Sequence, residues 1–377
     1  MTGSPPHRPL PDGTHPAPSA PAPLPSPHHR PRGRAMPTRR PHRRNLRALT
    51  AATAAACLAA LLTACGGDSD AATTAGDAGA PGTVTVGRLS DGAARQTTLT
   101  VPEVKELHDD LPEAVRKKGT LVIAVGALPS GFPPLAYVGA DQKTLTGAEP
   151  DLGRLVAAVL GLEAELRNFT WENMFVALDS GKADVAFSNV TDTEERKRKY
   201  DVASYRKDDL AFEVPKNSTW TFRGDYHALA GKTVAVGSGT NQERILLQWK
   251  AELAEEGKKL TVKYFQDSNS TYLALAGGKI DAYLGPNPAI SYHVRQTAGT
   301  PRATRTAGTF SGAGETLQGL IAAATKKGSG LAEPIAAAID HLIENGQYAQ
   351  WLAAWNLSDE AVTTSRVNPP GLPLDNT

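Results

Sequence analysis

Between Asp184 and Tyr205 the chain reads DVAFSNVTDTEERKRKYDVASY, and these residue types suit the holding of a small anion. Asp184–Phe187 is an apolar, strand-like stretch. The loop after it, Ser188-Asn189-Val190-Thr191-Asp192-Thr193, carries hydroxyl and amide groups, and Arg196 stands near the head of the charged segment that follows. Loop N–H groups and hydroxyls can converge on one point, a helix start adds partial positive charge, and an arginine fork grips both oxygens of a carboxylate. The same residues also make an ordinary capped helix start, with Thr193 as the cap and Arg196 solvated on the helix face. The elements around the stretch have to decide between the two.

Those elements repeat a grammar. Val101–Lys118 reads as a helix, Leu121–Val125 as a strand, and a loop with Pro129, Gly131, Pro133 and Pro134 follows. Leu152–Leu160 is helical, with Glu149 and Asp151 ahead of it as cap and dipole partners. Leu166–Phe169 is a strand, Trp171–Ser180 a helix closed by Gly181, and Asp184–Phe187 a third strand. After Ala211–Val214 the pattern restarts: strand Thr233–Val236, loop Gly237–Thr240, helix Asn241–Glu255, strand Leu260–Phe265, helix Thr271–Ala276 and strand Ile280–Leu284. Thr316–Ala324 reads as a returning strand, and Leu331–Asn345 and Gln347–Trp355 as closing helices. Alternating strand and helix predicts an α/β protein with sheets flanked by helices, and loops at strand C-terminal ends are where such sheets hold ligands.

The N-terminal part serves another purpose. Residues 1–45 are dense in Pro, Arg and His and lack the apolar surface to offset ordering. The Ala-rich run Ala48–Ala64, then Cys65, makes an export signal ending in a bacterial lipobox, with Cys65 the lipidated residue. The run is shorter and less apolar than the ~20 residues of a membrane span. Met36 is an alternative start, giving a signal of ordinary length. Residues 1–64 hold nine Arg, no Lys and one Asp, so their removal takes the formal charge from +1 to −7. An acidic mature protein gives no support to nucleic-acid binding. Both cysteines, Cys57 and Cys65, fall in this region, which leaves no disulfide beyond it.

Ordered motifs over Lys118–Leu357 resemble the family 3 extracellular solute-binding proteins of ABC importers, the polar amino-acid type. They are Lys118–Val125 with Pro134, and Gly147-Ala148-Glu149-Pro150-Asp151-Leu152. Trp171 with Leu178 and Ser180-Gly181-Lys182-Ala183-Asp184 comes next, then Thr193 with Arg196. Leu229-Ala230-Gly231-Lys232-Thr233-Val234-Ala235-Val236 with Gly239-Thr240, Gly278-Lys279-Ile280-Asp281-Ala282, and Leu342–Leu357 complete the set. The resemblance implies a two-lobe, periplasmic-binding-protein-like (type II) clamp closing on a solute about a two-strand hinge, monomeric, with an importer's permease subunits as partner. It implies lobe 1 from 83–213 and 316–358 and lobe 2 from 214–315, while composition marks a flexible 65–82 tether and a loose 359–377 tail.

By position, Arg196 would take a ligand carboxylate, aided by Ser188, Asn189 and Thr191. Trp171 would be an aromatic wall, Phe132 a second one, and Thr240 and Asn241 would bind from lobe 2. Each has a plainer reading: Trp171 as lobe-1 core, Phe132 packing its own loop, Gly237–Thr240 as a simple strand-to-helix turn. Relatives that take α-amino acids place an Asp after the Ile-Asp-Ala strand to pair with the ammonium. Here Leu284-Gly285-Pro286-Asn287-Pro288 puts Pro286 there, and Leu128-Pro129 stands where some relatives carry another Asp. A buried ammonium without a partner is costly, so either another acid serves or the ligand is not a standard α-amino acid. Asp192 is the nearest candidate, or it simply pairs with Arg196; Asn287 would be a neutral acceptor.

The expected role is a lipid-anchored, extracytoplasmic receptor that captures a small carboxylate-bearing polar solute without a cofactor or metal. An enzyme on the same scaffold, dehydratase-like, is the rival, and a ligand-sensing lipoprotein is a third reading. Against the enzyme, His108, His227, His293 and His341 fall outside the expected cleft loops, and no Ser-His-Asp order or metal-ligand spacing occurs.

Overall fold

The structure, a computed structural model, describes residues 82–265 and 267–374. The expected export signal, Cys65 and most of the expected 65–82 tether lie outside these residues.

The chain opens with a hairpin, β1 (Thr83–Val86) against β2 (Thr97–Thr100), in which Val84, Val86 and Leu99 turn inward. The helix expected over Val101–Lys118 is two, α1 (Lys105–Asp109) and α2 (Glu113–Lys118). Pro112, which has no N–H to give the preceding turn, starts the second. Then come β3 (Thr120–Leu128), the small pair β4 (Tyr137–Val138) and β5 (Leu145–Thr146), α3 (Ala148–Val159), β6 (Glu163–Thr170), α4 (Trp171–Asp179) and β7 (Val185–Ala186). A short 3-10 turn, Arg196–Arg198, leads into the long β8 (Tyr200–Pro215). The second half holds β9 (Thr233–Ala235), α5 (Asn241–Glu255), β10 (Thr261–Lys263), α6 (Ser268–Ala276), β11 (Ala282–Pro286), α7 (Asn287–Thr297) and β12 (Thr304–Ser311). β13 (Gly319–Lys326), α8 (Ala332–Glu344) and α9 (Gln347–Ala354) return to the first half.

The main sheet runs β10-β9-β11-β8-β13-β7-β3-β6, with β12 also on β8. Lobe 1 is the β8-β13-β7-β3-β6 end and lobe 2 the β10-β9-β11-β8 end. β7, β3 and β6 in lobe 1 and β10, β9 and β11 in lobe 2 are parallel, as β-α-β crossovers require, while β13 is antiparallel to β7 and β8 is antiparallel to all of its partners. β3 is buried on both faces, which explains its unbroken apolar run. Leu121, Ile123 and Val125 pack into the core under α3, α8 and α9, while Val122 and Ala124 pack against Met174 and Leu178 of α4. Lobe 2 has its own core around Phe212, Phe222, Trp249 and Leu284.

β8 was legible only as a connection at Ala211–Val214, yet it is one 16-residue strand serving both lobes. Its partner on one side is β13 up to Asp208, opposite Gly319, and β12 from Asp209, opposite Ser311. The change falls ahead of residue 214, where the sequence places the lobe boundary. β8 and the 311–319 segment are thus the two crossings between lobes.

The tail is the largest departure from expectation. Rather than loose, it lies against both lobes as far as Leu374. Val367 bridges Ala203 of β8, and Leu372 bridges Thr193. Glu360 reaches a buried charge cluster: Arg206 sits between it and Glu149 of α3, with Arg206 Nη2 2.8 Å from Glu149 Oε1 and Nη1 bonded to Glu360 Oε2. Burial is the largest influence on Glu360 and lifts its pKa to about 7 against the pull of Arg206. Arg206→Ala would leave two acids buried without a cation, a loss of about 3–5 kcal/mol. Urea unfolding should show a correspondingly lower midpoint, and an unchanged midpoint would contradict this account of the cluster.

Candidate functional site

The loop after β7 is held from behind. Ser188 Oγ accepts the Gly126 N–H at 2.8 Å. Asn189 takes a left-handed conformation, φ 53°, which Asn tolerates better than most residues. Its N–H donates to Glu149 Oε2 at 2.9 Å, and its Oδ1 accepts from Arg206 Nη2 at 2.6 Å. The Glu149–Arg206 pair therefore fixes the loop backbone, a role beyond the cap and dipole part that the sequence suggested for Glu149. Thr193 Oγ1 accepts the Arg196 N–H at 3.1 Å, so the capped-turn reading holds for the backbone.

The Arg196 side chain is not left in solvent. Nη1 donates to Thr191 O at 2.8 Å and Nη2 to Gly239 O of lobe 2 at 3.3 Å. The guanidinium lies 5.3 Å from the Trp171 ring centroid and 5.6 Å from that of Phe175. Burial lowers its pKa to about 10, which still leaves a full cation at neutral pH. Trp171 Nε1 also donates to Gly239 O, at 3.2 Å. Two lobe-1 side chains thus converge on one lobe-2 carbonyl.

That carbonyl belongs to the turn between β9 and α5. Gly239 has φ 71°, a left-handed conformation that glycine adopts without cost, and a Cβ there would stand 3.4 Å from Trp171 Nε1. Thr240 caps α5: its Oγ1 accepts the Glu243 N–H at 3.2 Å and donates to Gly237 O at 2.7 Å. Asn241 Nδ2 donates to Asp208 Oδ2 at 3.1 Å and to Gly312 O at 3.0 Å. Thr191 Oγ1 donates to the same Asp208 oxygen at 2.7 Å.

Asp208 is therefore the meeting point of lobe 1, lobe 2 and both crossings, and the sequence reading missed it. The available signal was an acid pair, Asp208-Asp209, inside a strand whose other residues are mostly apolar or aromatic. Asp208 is buried, and among the described residues no Lys, Arg or His nitrogen lies within ion-pair distance of it. Burial, only partly offset by the Thr191 hydroxyl, raises its pKa to about 6. Pro286 stands opposite Leu210, two residues along β8 from Asp208.

Arg196, Thr191, Trp171, Thr240 and Asn241 are brought together. The other candidates are not. Phe132 is half-buried, bonded through its N–H to Ala136 O and packed on the lobe-1 core. Asn287 opens α7, where its Oδ1 accepts from Ser291 Oγ at 3.2 Å. Ser188 and Asn189 spend their side chains inside the loop's support. Asp192 does not pair with Arg196: it is buried, its carboxylate has no hydrogen bond, and the nearest cation is Lys197 Nζ at 3.7 Å. Burial raises its pKa to about 7. Beside Arg196 a cavity of about 690 Å³ opens between the lobes, lined among others by Phe175, Tyr200, Thr240, Asn241, Arg244 and Leu372.

A two-lobe clamp with an arginine on one side of its cleft and a capped helix start on the other defines a solute-binding protein. Residues 123–358 match the model of the bacterial extracellular solute-binding proteins, family 3, and the chain belongs to that family. It is 34% identical over 199 residues to the L-cystine-binding protein TcyJ of Escherichia coli, covering 52% of this chain and 70% of that one. It is 28% identical over 284 residues to the arginine-binding protein ArgT of Corynebacterium glutamicum, covering 74% and 86%. Among solved structures, the amino acid ABC transporter substrate-binding protein AbpA of Streptococcus pneumoniae, bound to L-arginine, superposes with a TM-score of 0.54. That match is 26% identical and covers 66% of this chain and 100% of the other.

The raised pKa values of Asp192 and Asp208 have a thermodynamic consequence. The native state keeps these protons to higher pH than the unfolded chain, whose aspartates titrate near about 4. More protons on the native state means that this part of the stability falls as pH rises, from about 4 through the folded values. Asp208→Asn should flatten the decline between about pH 4 and 6, measured as the urea midpoint against pH. A variant slope parallel to that of the parent would contradict the assignment.

Proposed function

We propose that this protein is the lipid-anchored, solute-capturing component of an ABC importer and that its ligand is an α-amino acid or a close derivative. The observation that carries the reading is the charge arrangement around Thr191. Its carbonyl holds the Arg196 guanidinium and its hydroxyl rests on the Asp208 carboxylate. A cation and an acid without an ion-pair partner, separated by one residue's backbone, match the carboxylate and ammonium of a zwitterion. Asp208 on β8 thus stands in for the acid that Pro286 displaces from β11. A buried carboxylate without a cation is costly, and a ligand ammonium supplies the missing charge.

The relatives support the class of ligand. TcyJ is named for L-cystine, ArgT for arginine, and AbpA was solved with L-arginine. Anchoring through Cys65 and partnership with permease subunits rest on the lipobox and on family membership. The histidines support binding over turnover. His108 bonds Leu160 O, His227 bonds Asp225 and Glu256, His293 bonds Glu213, and His341 sits beside Asn345. None of the four lines the cavity.

Calorimetry with L-cystine, L-arginine and the same molecules lacking the α-amino group tests the reading. A fitting amino acid should stabilise the fold by about 2.7 kcal/mol at a hundredfold excess over Kd. Arg196→Ala should weaken it at least ~100-fold, about 2.7 kcal/mol, with unfolding otherwise unchanged. Asp208→Asn should erase the preference for the amino acid over its des-amino analogue. If that preference survives in the variant, Asp208 is not the ammonium partner. If Arg196→Ala binds as the parent does, the carboxylate site lies elsewhere.

A further inference from the structure

The family match stops at residue 358, yet the chain goes on in an ordered path. From Ser365 to Asn368 it runs along the lobe-1 half of β8: Ser204 N–H donates to Arg366 O at 3.0 Å, and Asn368 N–H to Val202 O at 2.9 Å. It then turns onto the loop that carries Arg196. Lys197 Nζ bonds Pro369 O, Gly371 N–H donates to Glu194 Oε1 at 3.0 Å, and Leu372 exchanges backbone bonds with Asp192 O and Glu194 N at 3.1 and 3.0 Å. Gly371 passes so close that a Cβ would meet Asp192 O at 2.6 Å.

One residue later the attachment changes lobe. The Leu372 side chain, 0% exposed, packs into the lobe-2 core with Ala313 and lines the interlobe cavity. Arg244 of α5, in lobe 2, then bonds the carbonyls of Pro373 and Leu374. The backbone of the segment is held by lobe 1 and its end by lobe 2.

We infer that the C-terminal segment 365–374 is a strap that ties the two lobes together beside the cleft and biases the clamp toward its closed arrangement. Lobe separation about β8 and the 311–319 crossing must either pull Leu372 from the lobe-2 core and Arg244 from its two carbonyls, or strip the segment from lobe 1. Because the strap pairs with Asp192 and Glu194, the same contacts hold the Arg196 loop in place. Closure is then partly paid in advance by the chain itself, and a ligand has less to supply. The argument uses only contacts between this chain's own residues and does not depend on which solute binds.

The test measures the lobe-to-lobe distance by double electron–electron resonance in the full chain. Both native cysteines are replaced (Cys57→Ser, Cys65→Ser) and spin labels are attached at Val176→Cys in α4 and Leu273→Cys in α6, side chains 59% and 58% exposed. The parent should give one short distance. Truncation before Pro369, and Leu372→Ser in the intact chain, should each add a longer-distance population. The closed-to-open ratio should fall roughly tenfold or more, as loss of one fully buried leucine's contacts entails. Circular dichroism checks that each variant is folded. Should both fail to fold, Leu372→Ala, which keeps every backbone bond of the segment, decides alone. Distance distributions that coincide with the parent's in the folded variants, or a parent already spread over the long distances, would overturn the strap.

Discussion

Sixteen consecutive residues of β8 are hydrogen-bonded in both lobes, and that sharing is the constraint from which the site follows. A strand cannot keep one partner through a lobe junction when the two half-sheets twist apart, so β8 exchanges β13 for β12 between Asp208 and Asp209. At such an exchange the ladder leaves room for side chains to approach from both lobes. Thr191 and Asn241 come in on either side, and Gly312 admits the Asp208 carboxylate only because it has no Cβ: one there would lie 1.9 Å from Oδ2. The cleft floor is thus set by the strand exchange.

The same strand distributes the buried charge. Arg206 and Asp208 share one face of β8, two residues apart, but their surroundings differ. Arg206 meets two carboxylates, Glu149 and Glu360, and its charge is satisfied locally. Asp208 meets a hydroxyl and an amide, neutral donors that both bond its Oδ2 without cancelling its charge. Arg206 and Arg196 act on Asp208 only at longer range, and among the described residues no cation lies within ion-pair distance of it. Arg196 is the complementary case: carbonyls and aromatic faces surround its cation, and among the described residues no carboxylate lies within ion-pair distance of its guanidinium nitrogens. Charges that the protein neutralises itself thus stand apart from those that it leaves to neutral donors, carbonyls and ring faces.

Much of this was legible in the residues. The β3, α3, β6 and α4 series showed in apolar runs and caps, and Arg196, Thr191, Trp171 and the Gly239-Thr240 turn do meet. What escaped reading depends on long-range pairing. The start of β8, YDVASYRKDD, carries charged residues that break any strand period, and the partners of one of them, Arg206, lie 57 and 154 positions away. No local periodicity reveals that. Asn189 and Ser188 had suitable chemistry, but Glu149 and Gly126 consume it from behind. Asp192 looked available because it neighbours Arg196, although its side chain is turned into the protein. The tail looked loose by composition, since Pro, Ser and Thr give no helical or strand period. Its order comes from carbonyls and a single leucine finding prepared partners.

The tail also bears on how the departures from the family's motifs fit together. Pro286 ends β11 and caps α7, a position that suits proline's fixed φ and absent N–H, and it stands where the sequence resemblance leads one to expect an acid. On the proposed reading Asp208 supplies that acid from β8, a strand that belongs to both lobes. A ligand held at the hinge does less to pull a distant lobe shut than one gripped by an acid out on that lobe. Some other interaction must then favour closure. The proposed strap, with its backbone on lobe 1 and its leucine in lobe 2, would supply that interaction, and the two proposals then fit one closing mechanism.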